Sequence, residues 1–339
     1  MKILVTGAAG FIGSFLVKSI LKSQEWDKAE VLGLDSMSEY YDIRLKESRL
    51  KDLKIHERFS FVKGSICDKA LLERIFKEFK PEIVVNLAAQ AGVRDSINNP
   101  EAYIDSNILG FFNVLEVCRH AGEWYEGGVK HLVYASSSSV YGEGCDVPYS
   151  VDAKVDRPVS LYAATKKCDE LMAHAYSKLY DIPCTGLRFF TVYGPAGRPD
   201  MAYFGFTEKL VKGETIKIYN YGNCLRDFTY IDDVVEGIMR VMSKPQAYTI
   251  YNIGNNKPEK LLDFVEILKE ELILAGVLEE NFDLNANMSL EPMQPGDVEV
   301  TCADISKLGK DFGFKPKTSL REGLKEFAKW YKEFYYGSC

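Results

Sequence analysis

The chain has 339 residues, 46% hydrophobic and 27% charged, enough apolar matter for one large core or two closely joined domains. A formal net charge of −7 excludes a general nucleic-acid or membrane-surface binder and leaves room only for a local basic pocket that takes a small anion. Eight cysteines without Cys-x-x-Cys spacing, and an opening apolar run too short for export or membrane spanning, predict reduced thiols in a cytoplasmic protein; the four histidines show no metal-ligand spacing.

Strands are predicted at residues 3–6, 30–34, 59–62, 83–87 and 131–135, with a later one at 184–190. Helical period covers 13–23, 69–79, 102–121 and 162–180. Strands separated by helices of this length imply right-handed crossovers and a parallel sheet, hence a doubly wound α/β fold. Ile83-Val84-Val85-Asn86-Leu87 is apolar almost throughout, as a strand covered on both faces requires. After about residue 190 the texture changes, with Pro and Gly clustered at 194–199 and 292–296. The expectation is a Rossmann domain over 1–190, with segments near 228–254 returning to it. A smaller mixed α/β substrate-binding lobe takes most of 191–339.

Gly7, Gly10 and Gly13 stand in G-x-x-G-x-x-G spacing, directly after a strand and opening a helix at Phe11 and Ile12. Gly7 permits the tight turn, Gly10 lets backbone approach a pyrophosphate, and Gly13 lets the helix pack on the strand; the helix N-terminus then faces the anion. Asp35, followed by Ser36, ends the next strand 22 residues past Gly13. A carboxylate there accepts from ribose hydroxyls and repels a 2′-phosphate, which favours NAD over NADP.

Tyr162 and Lys166 are four apart on a predicted helix, so both lie on one face. A phenol ordinarily ionises near pH 10 and needs a neighbouring ammonium to act as a base near neutrality. Alone, the spacing also suits a solvated helix face. The hydroxyl-rich stretch 134–142, which holds Ser136 to Ser139, is by itself equally an ordinary polar turn.

Taken together, these residues resemble the extended short-chain dehydrogenase/reductase superfamily from end to end. The resemblance implies tightly held NAD, regenerated in each turnover, with Tyr162 as base, Lys166 as its partner and Ser137 bonding the reacting oxygen. Asn86-Leu87-Ala88-Ala89-Gln90 matches the fourth strand, whose end passes the cofactor. Ser106 and Phe190 match positions that line the NAD pocket. One departure concerns adenine: the family usually has Gly-Asp-Ile where this chain has Gly64-Ser65-Ile66.

The serine loop bears on the reaction. The 4,6-dehydratases carry Asp-Glu where this chain has Ser138 and Ser139, and uronate decarboxylases carry a Glu at the second place. Two serines cannot act as carboxylate bases, so hydride transfer and proton shuttling remain, which fits C4 epimerisation through a transient 4-keto sugar. Arg226 matches the family arginine that pairs with the nucleotide diphosphate. Asp297 matches the residue that binds substrate ribose, and Gln294 falls where galactose-type epimerases carry a second phosphate-binding arginine. An exposed charge or a helix cap explains these three as well.

Residues 187–201, together with 90–94, 158–162 and 292–297, are similar to the UDP-glucuronate 4-epimerases of that superfamily. A C5 carboxylate calls for a cation and hydroxyl donors: Arg198 supplies the fork, Thr191 and the serine loop the hydroxyls. Gripping that carboxylate also protects a 4-keto uronate, a β-keto acid, from losing CO₂. Arg94 is a further candidate that an internal salt bridge explains equally well. The reading is an NAD-dependent isomerase interconverting UDP-glucuronate and UDP-galacturonate. The alternatives are a 4-epimerase of neutral UDP-glucose or UDP-N-acetylglucosamine and, behind it, a non-catalytic NAD-binding scaffold. The resemblance also implies a homodimer through 102–121 and 162–180, although apolar stripes there fit an intrachain core as well.

Overall fold

A computed structural model describes residues 1–294 and 298–337. Seven strands make one sheet: β1 (Lys2–Thr6), β2 (Glu30–Asp35), β3 (Phe59–Lys63), β4 (Ile83–Asn86), β5 (His131–Ser137), β6 (Cys184–Phe189) and β7 (Tyr248–Ile253). Every neighbouring pair is parallel, in the order β7-β6-β5-β4-β1-β2-β3. The order reverses between β1 and β4, so a crevice opens there at the carboxyl ends of the strands. The crossover helices are α1 (Phe11–Lys22), α2 (Ile43–Leu53), α3 (Lys69–Phe79), α4 (Gly110–Trp124), α5 (Leu161–Tyr180) and α6 (Ile231–Met242).

Successive side chains of a strand point to opposite faces, and the core divides accordingly. Leu4 joins Val84, Leu132, Phe111 and Leu115 in one apolar cluster. Ile3 and Val5 instead face α1 and α6, in a cluster that continues without a break into Phe204, Phe264 and Phe327 of the second half of the chain. The two parts of the chain thus share one interior. Among the described residues no helix is long and apolar enough to cross a membrane, and no group of side chains is arranged to hold a metal.

Two elements differ from expectation. The helix expected over 102–121 is interrupted: Pro100–Tyr103 is followed by a π-helical turn, Ile104–Leu109, before α4 begins. The extra residue in that turn swings Asn107 inward, where its buried amide finds fixed partners. Helix α2 was not expected at all. Its buried side is Leu45, Lys46, Arg49, Leu50 and Leu53, and two cations on that face erase the apolar period.

Candidate active site

The turn after β1 is built so that only glycine fits. Gly7 has φ +71°, and a Cβ on it would stand 2.8 Å from the Ala88 nitrogen. A Cβ on Gly13 would stand 2.1 Å from the Gly7 carbonyl oxygen, and one on Gly10 2.9 Å from the same atom. Gly10 is the N-cap of α1 and has no side chain to offer the first N–H groups, so those of Phe11 and Ile12 remain for an anion. This cradle fits the pyrophosphate of a dinucleotide.

Asp35, at the end of β2, faces the same turn. Its buried carboxylate accepts from Ala9 N at 3.1 Å and Met37 N at 2.8 Å, and from Lys46 Nζ of α2 at 3.2 Å. Ser36 beside it is exposed. Ser65 Oγ accepts from Cys67 N at 3.1 Å, so this hydroxyl braces its own turn. Buried Ile66 is held from α4, where Asn113 donates to its carbonyl at 3.1 Å.

The exit of β4 is tied to helix α5. Ala88 N donates to Thr6 Oγ1, and Asn107 grips Gln90 at both its N–H (2.8 Å) and its carbonyl (3.0 Å), with Ala89 between. The same Asn107 amide donates to Thr165 Oγ1 at 3.0 Å, one residue before Lys166. Sequence reasoning singled out Ser106, which is half-buried, and missed its neighbour Asn107. Phe190 is buried between Tyr141 and Tyr149, with ring centroids 6.4 and 6.3 Å away.

Ser137 ends β5, and its hydroxyl accepts from Ser139 N at 3.2 Å, capping the short 3₁₀ turn of Ser138–Tyr141. Helix α5 starts at Leu161 with Ser160 as N-cap, so Tyr162 stands in its first turn, half-buried, edge-on to Tyr103 at 6.0 Å. Lys166 Nζ donates to Ala135 O and to Asp169 Oδ2, both at 3.0 Å. Burial pushes the Asp169 carboxyl up to about 6 against the opposing pull of Lys166. Serine loop and helix face thus converge from adjacent elements, since β5 and α5 pack together.

The far wall is the segment 194–200. Thr191 opens a short strand paired with Phe228–Tyr230 and stays half-buried. Arg198 donates from Nη2 to Ala91 O at 3.2 Å, which places it beside the exit of β4, and forks onto Asp200 through Nε (3.0 Å) and Nη2. Burial opposes its charge, but Asp200 and the nearby Tyr162 phenol more than offset this and push the guanidinium up. Arg49, also unforeseen, reaches from α2 to Ala9 O (3.0 Å), Ala196 O (2.6 Å) and Gly197 O (3.0 Å). The structure therefore brings Ser137, Tyr162, Lys166, Gln90 and Arg198 around one crevice.

The other expected residues have partners or surroundings of their own, where they are described. Arg94 is exposed, with its guanidinium over the Tyr219 ring at 5.2 Å. Arg226 donates to its neighbour's carbonyl and to Glu299 O at 2.9 Å. Gln294 is half-buried, and Asp297 lies outside the described residues. Asp227, buried beside Arg226, gathers N–H groups from Asn255, Asn256 and Ala303 and was missed by sequence reasoning.

Protein CapI of Staphylococcus aureus is 47% identical over 99% of this chain and 99% of its own length. UDP-glucuronate 4-epimerase 2 of Arabidopsis thaliana is 43% identical over 99% of this chain and 76% of its own. The crystal structure of a UDP-glucuronic acid 4-epimerase from Bacillus cereus, in complex with UDP-glucuronic acid and NAD, superposes with a TM-score of 0.87 at 32% identity, covering 99% of this chain and 100% of that one. The profile of one family spans residues 3–254, the stretch that holds the glycine turn, the serine loop and the Tyr162–Lys166 pair, and by it the chain belongs to the NAD dependent epimerase/dehydratase family.

Proposed function

We propose that the chain is an NAD-dependent 4-epimerase that interconverts UDP-glucuronate and UDP-galacturonate. One observation carries the reading. Beside the Tyr162–Lys166 pair, the loop that could hold carboxylate bases holds Ser138 and Ser139, while Arg198 approaches from the opposite wall.

NAD, when bound, takes up the hydride from sugar C4 and returns it to the other face. The chain's own residues do the rest. Gly7, Gly10 and Gly13 with the N-terminus of α1 hold the pyrophosphate; Asp35 takes the adenosine ribose, and Ser65 and Ile66 border the adenine. Ala88, Ala89, Gln90, Ser106 and Phe190 form the nicotinamide-side wall. Tyr162 Oη removes the proton from sugar O4 and later gives it back, with Lys166 supplying the positive charge that favours the phenolate. Ser137 donates a hydrogen bond to O4. Arg198, Thr191 and the serine loop grip the C5 carboxylate, and Arg226, Gln294 and Asp297 keep the nucleotide while the sugar turns over; Arg94 borders the entrance.

Incubation of purified protein with UDP-glucuronate should yield UDP-galacturonate, resolved by anion-exchange chromatography. Release of CO₂ with a pentose product, or turnover of UDP-glucose alone, would sink the proposal.

The working form we propose is a cytoplasmic homodimer. Its support is apolar side chains left in solvent on paired helices: Phe112 on α4, with Leu171, Leu179 and Tyr180 on α5. Leu171→Glu should convert a dimer to a monomer in light scattering; a wild-type protein already monomeric removes the idea.

A further inference from the structure

Arg49 is a buried cation whose spending can be followed atom by atom. A guanidinium has five N–H donors. Nε donates to Ala196 O at 3.0 Å; Nη2 donates to Ala196 O at 2.6 Å and Gly197 O at 3.0 Å. Nη1 donates to Ala9 O at 3.0 Å and Tyr41 Oη at 2.7 Å. All five donors go to neutral oxygens, and none is left for a carboxylate. A charge held this way receives no ion-pair attraction in return for its lost hydration, so packing alone does not account for it.

The placement of the acceptors suggests what the fork does. Ala9 belongs to the glycine turn that fits the dinucleotide pyrophosphate. Ala196 and Gly197 directly precede Arg198. Ala196 sits at φ +51°, a conformation an alanine adopts only under constraint. Gly197 has no room for a side chain, since a Cβ would fall 1.6 Å from Tyr203 Oη. The carbonyls of Ala196 and Gly197 point at one guanidinium, and no other side chain could bridge two loops with a planar fork of this reach.

We infer that Arg49 is a positioning residue for substrate specificity: it braces the 194–200 strap against the glycine turn, and so fixes Arg198 where a uronate carboxylate meets it. The inference rests on the uronate reading given above. It also makes the carboxylate-binding cation depend on the cofactor loop rather than on the C-terminal lobe alone.

A double-mutant cycle tests it without recourse to turnover. Affinities for UDP-glucuronate and UDP-glucose are measured by calorimetry in the wild type, Arg49→Lys, Arg198→Ala and the double variant. Arg49→Lys keeps the charge and loses the fork. It should lower the preference for UDP-glucuronate over UDP-glucose about tenfold, the range of a displaced charge-assisted bond, and should lower it no further once Arg198 is already alanine. An equal loss with and without Arg198, or a preference left intact, overturns the inference while leaving the substrate reading standing. A wild-type protein with no preference for the uronate sinks that reading and this inference with it. Should Arg49→Lys fail to fold, Gly197→Ala displaces the strap directly, since its Cβ would fall 1.6 Å from Tyr203 Oη; it should reduce the same preference only while Arg198 is present, and an unchanged preference there also counts against the brace.

Discussion

Removal of the Arg198 guanidinium should separate charged from neutral substrates by an amount the structure sets. In the described state its fork is already engaged with Asp200, so a substrate carboxylate gains by exchanging or sharing a partner rather than by meeting a bare cation. A hydrogen bond to a charged group contributes about 1.5–3 kcal/mol, which corresponds to roughly 10- to 150-fold in affinity. Arg198→Ala loses that contribution and leaves Asp200 facing the incoming carboxylate. Both groups are partly exposed, so solvent screens the repulsion to roughly 1 kcal/mol. UDP-glucose has no carboxylate and should bind within about threefold of its wild-type affinity, since surface changes away from its contacts cost little. Adding Asp200→Asn to Arg198→Ala removes the repulsion and should restore UDP-glucuronate affinity about fivefold, the equivalent of that 1 kcal/mol. Calorimetric dissociation constants for both sugars across the three proteins decide the matter. Equal losses for the two sugars, or no recovery in the double variant, would refute the assignment of Arg198 to the carboxylate.

Three further outcomes are expected. Gly13→Ala drives a methyl into the Gly7 carbonyl, so the rise in Tm that NAD gives the wild type should vanish; a variant still stabilised by NAD contradicts the cradle. His131 is buried at the start of β5 with Nε2 2.9 Å from Thr185 Oγ1, and burial pushes its imidazole down to about 4. Its ordinary pKa of about 6.5 lies above the folded one, so the contribution is fully present above pH 6.5 and is lost as pH falls through about 4, a change of about 3 kcal/mol. His131→Gln should flatten that part of the stability–pH curve in urea titrations, and an unchanged slope there speaks against it. Asp227→Ala strands the N–H groups of Asn255, Asn256 and Ala303, at about 1–3 kcal/mol each, so urea unfolding should show a loss of 3 kcal/mol or more by that arithmetic; under 1 kcal/mol would mean other acceptors take over.

The sheet was legible because β1, β4 and β5 are short apolar runs bounded by glycine or by helical period, and both signals depend only on local sequence. Gly7, Gly10, Gly13 and Asp35 were readable for the same reason; the Tyr162–Lys166 spacing alone also suited a solvated helix face, and only the resemblance gave it a role. The π turn was not, since Ile104 to Leu109 has ordinary helical composition and only the tertiary partners Gln90 and Thr165 reward the extra residue. Helix α2 was invisible because Lys46 and Arg49 occupy its inner face, and their partners, Asp35 and the Ala196 carbonyl, lie 11 and 147 residues away. Asp227 escaped because its ligands are backbone N–H groups, which have no sequence signature. In each case the missing information was the identity of a distant partner.

The apolar cluster that runs from Ile3 and Leu16 to Phe264 and Phe327 limits how this molecule can be taken apart. A fragment ending at residue 190 would keep the whole glycine turn and helix α5, yet it would strip β7 from the edge of β6 and bare the inner faces of α1 and β1. Such a piece presents an open strand of unpaired backbone together with a greasy flank, the combination from which aggregates grow. Chimeras that trade substrate preference between relatives therefore have to exchange loops and side chains on a retained interior, because no severable cassette exists at the midpoint of the chain.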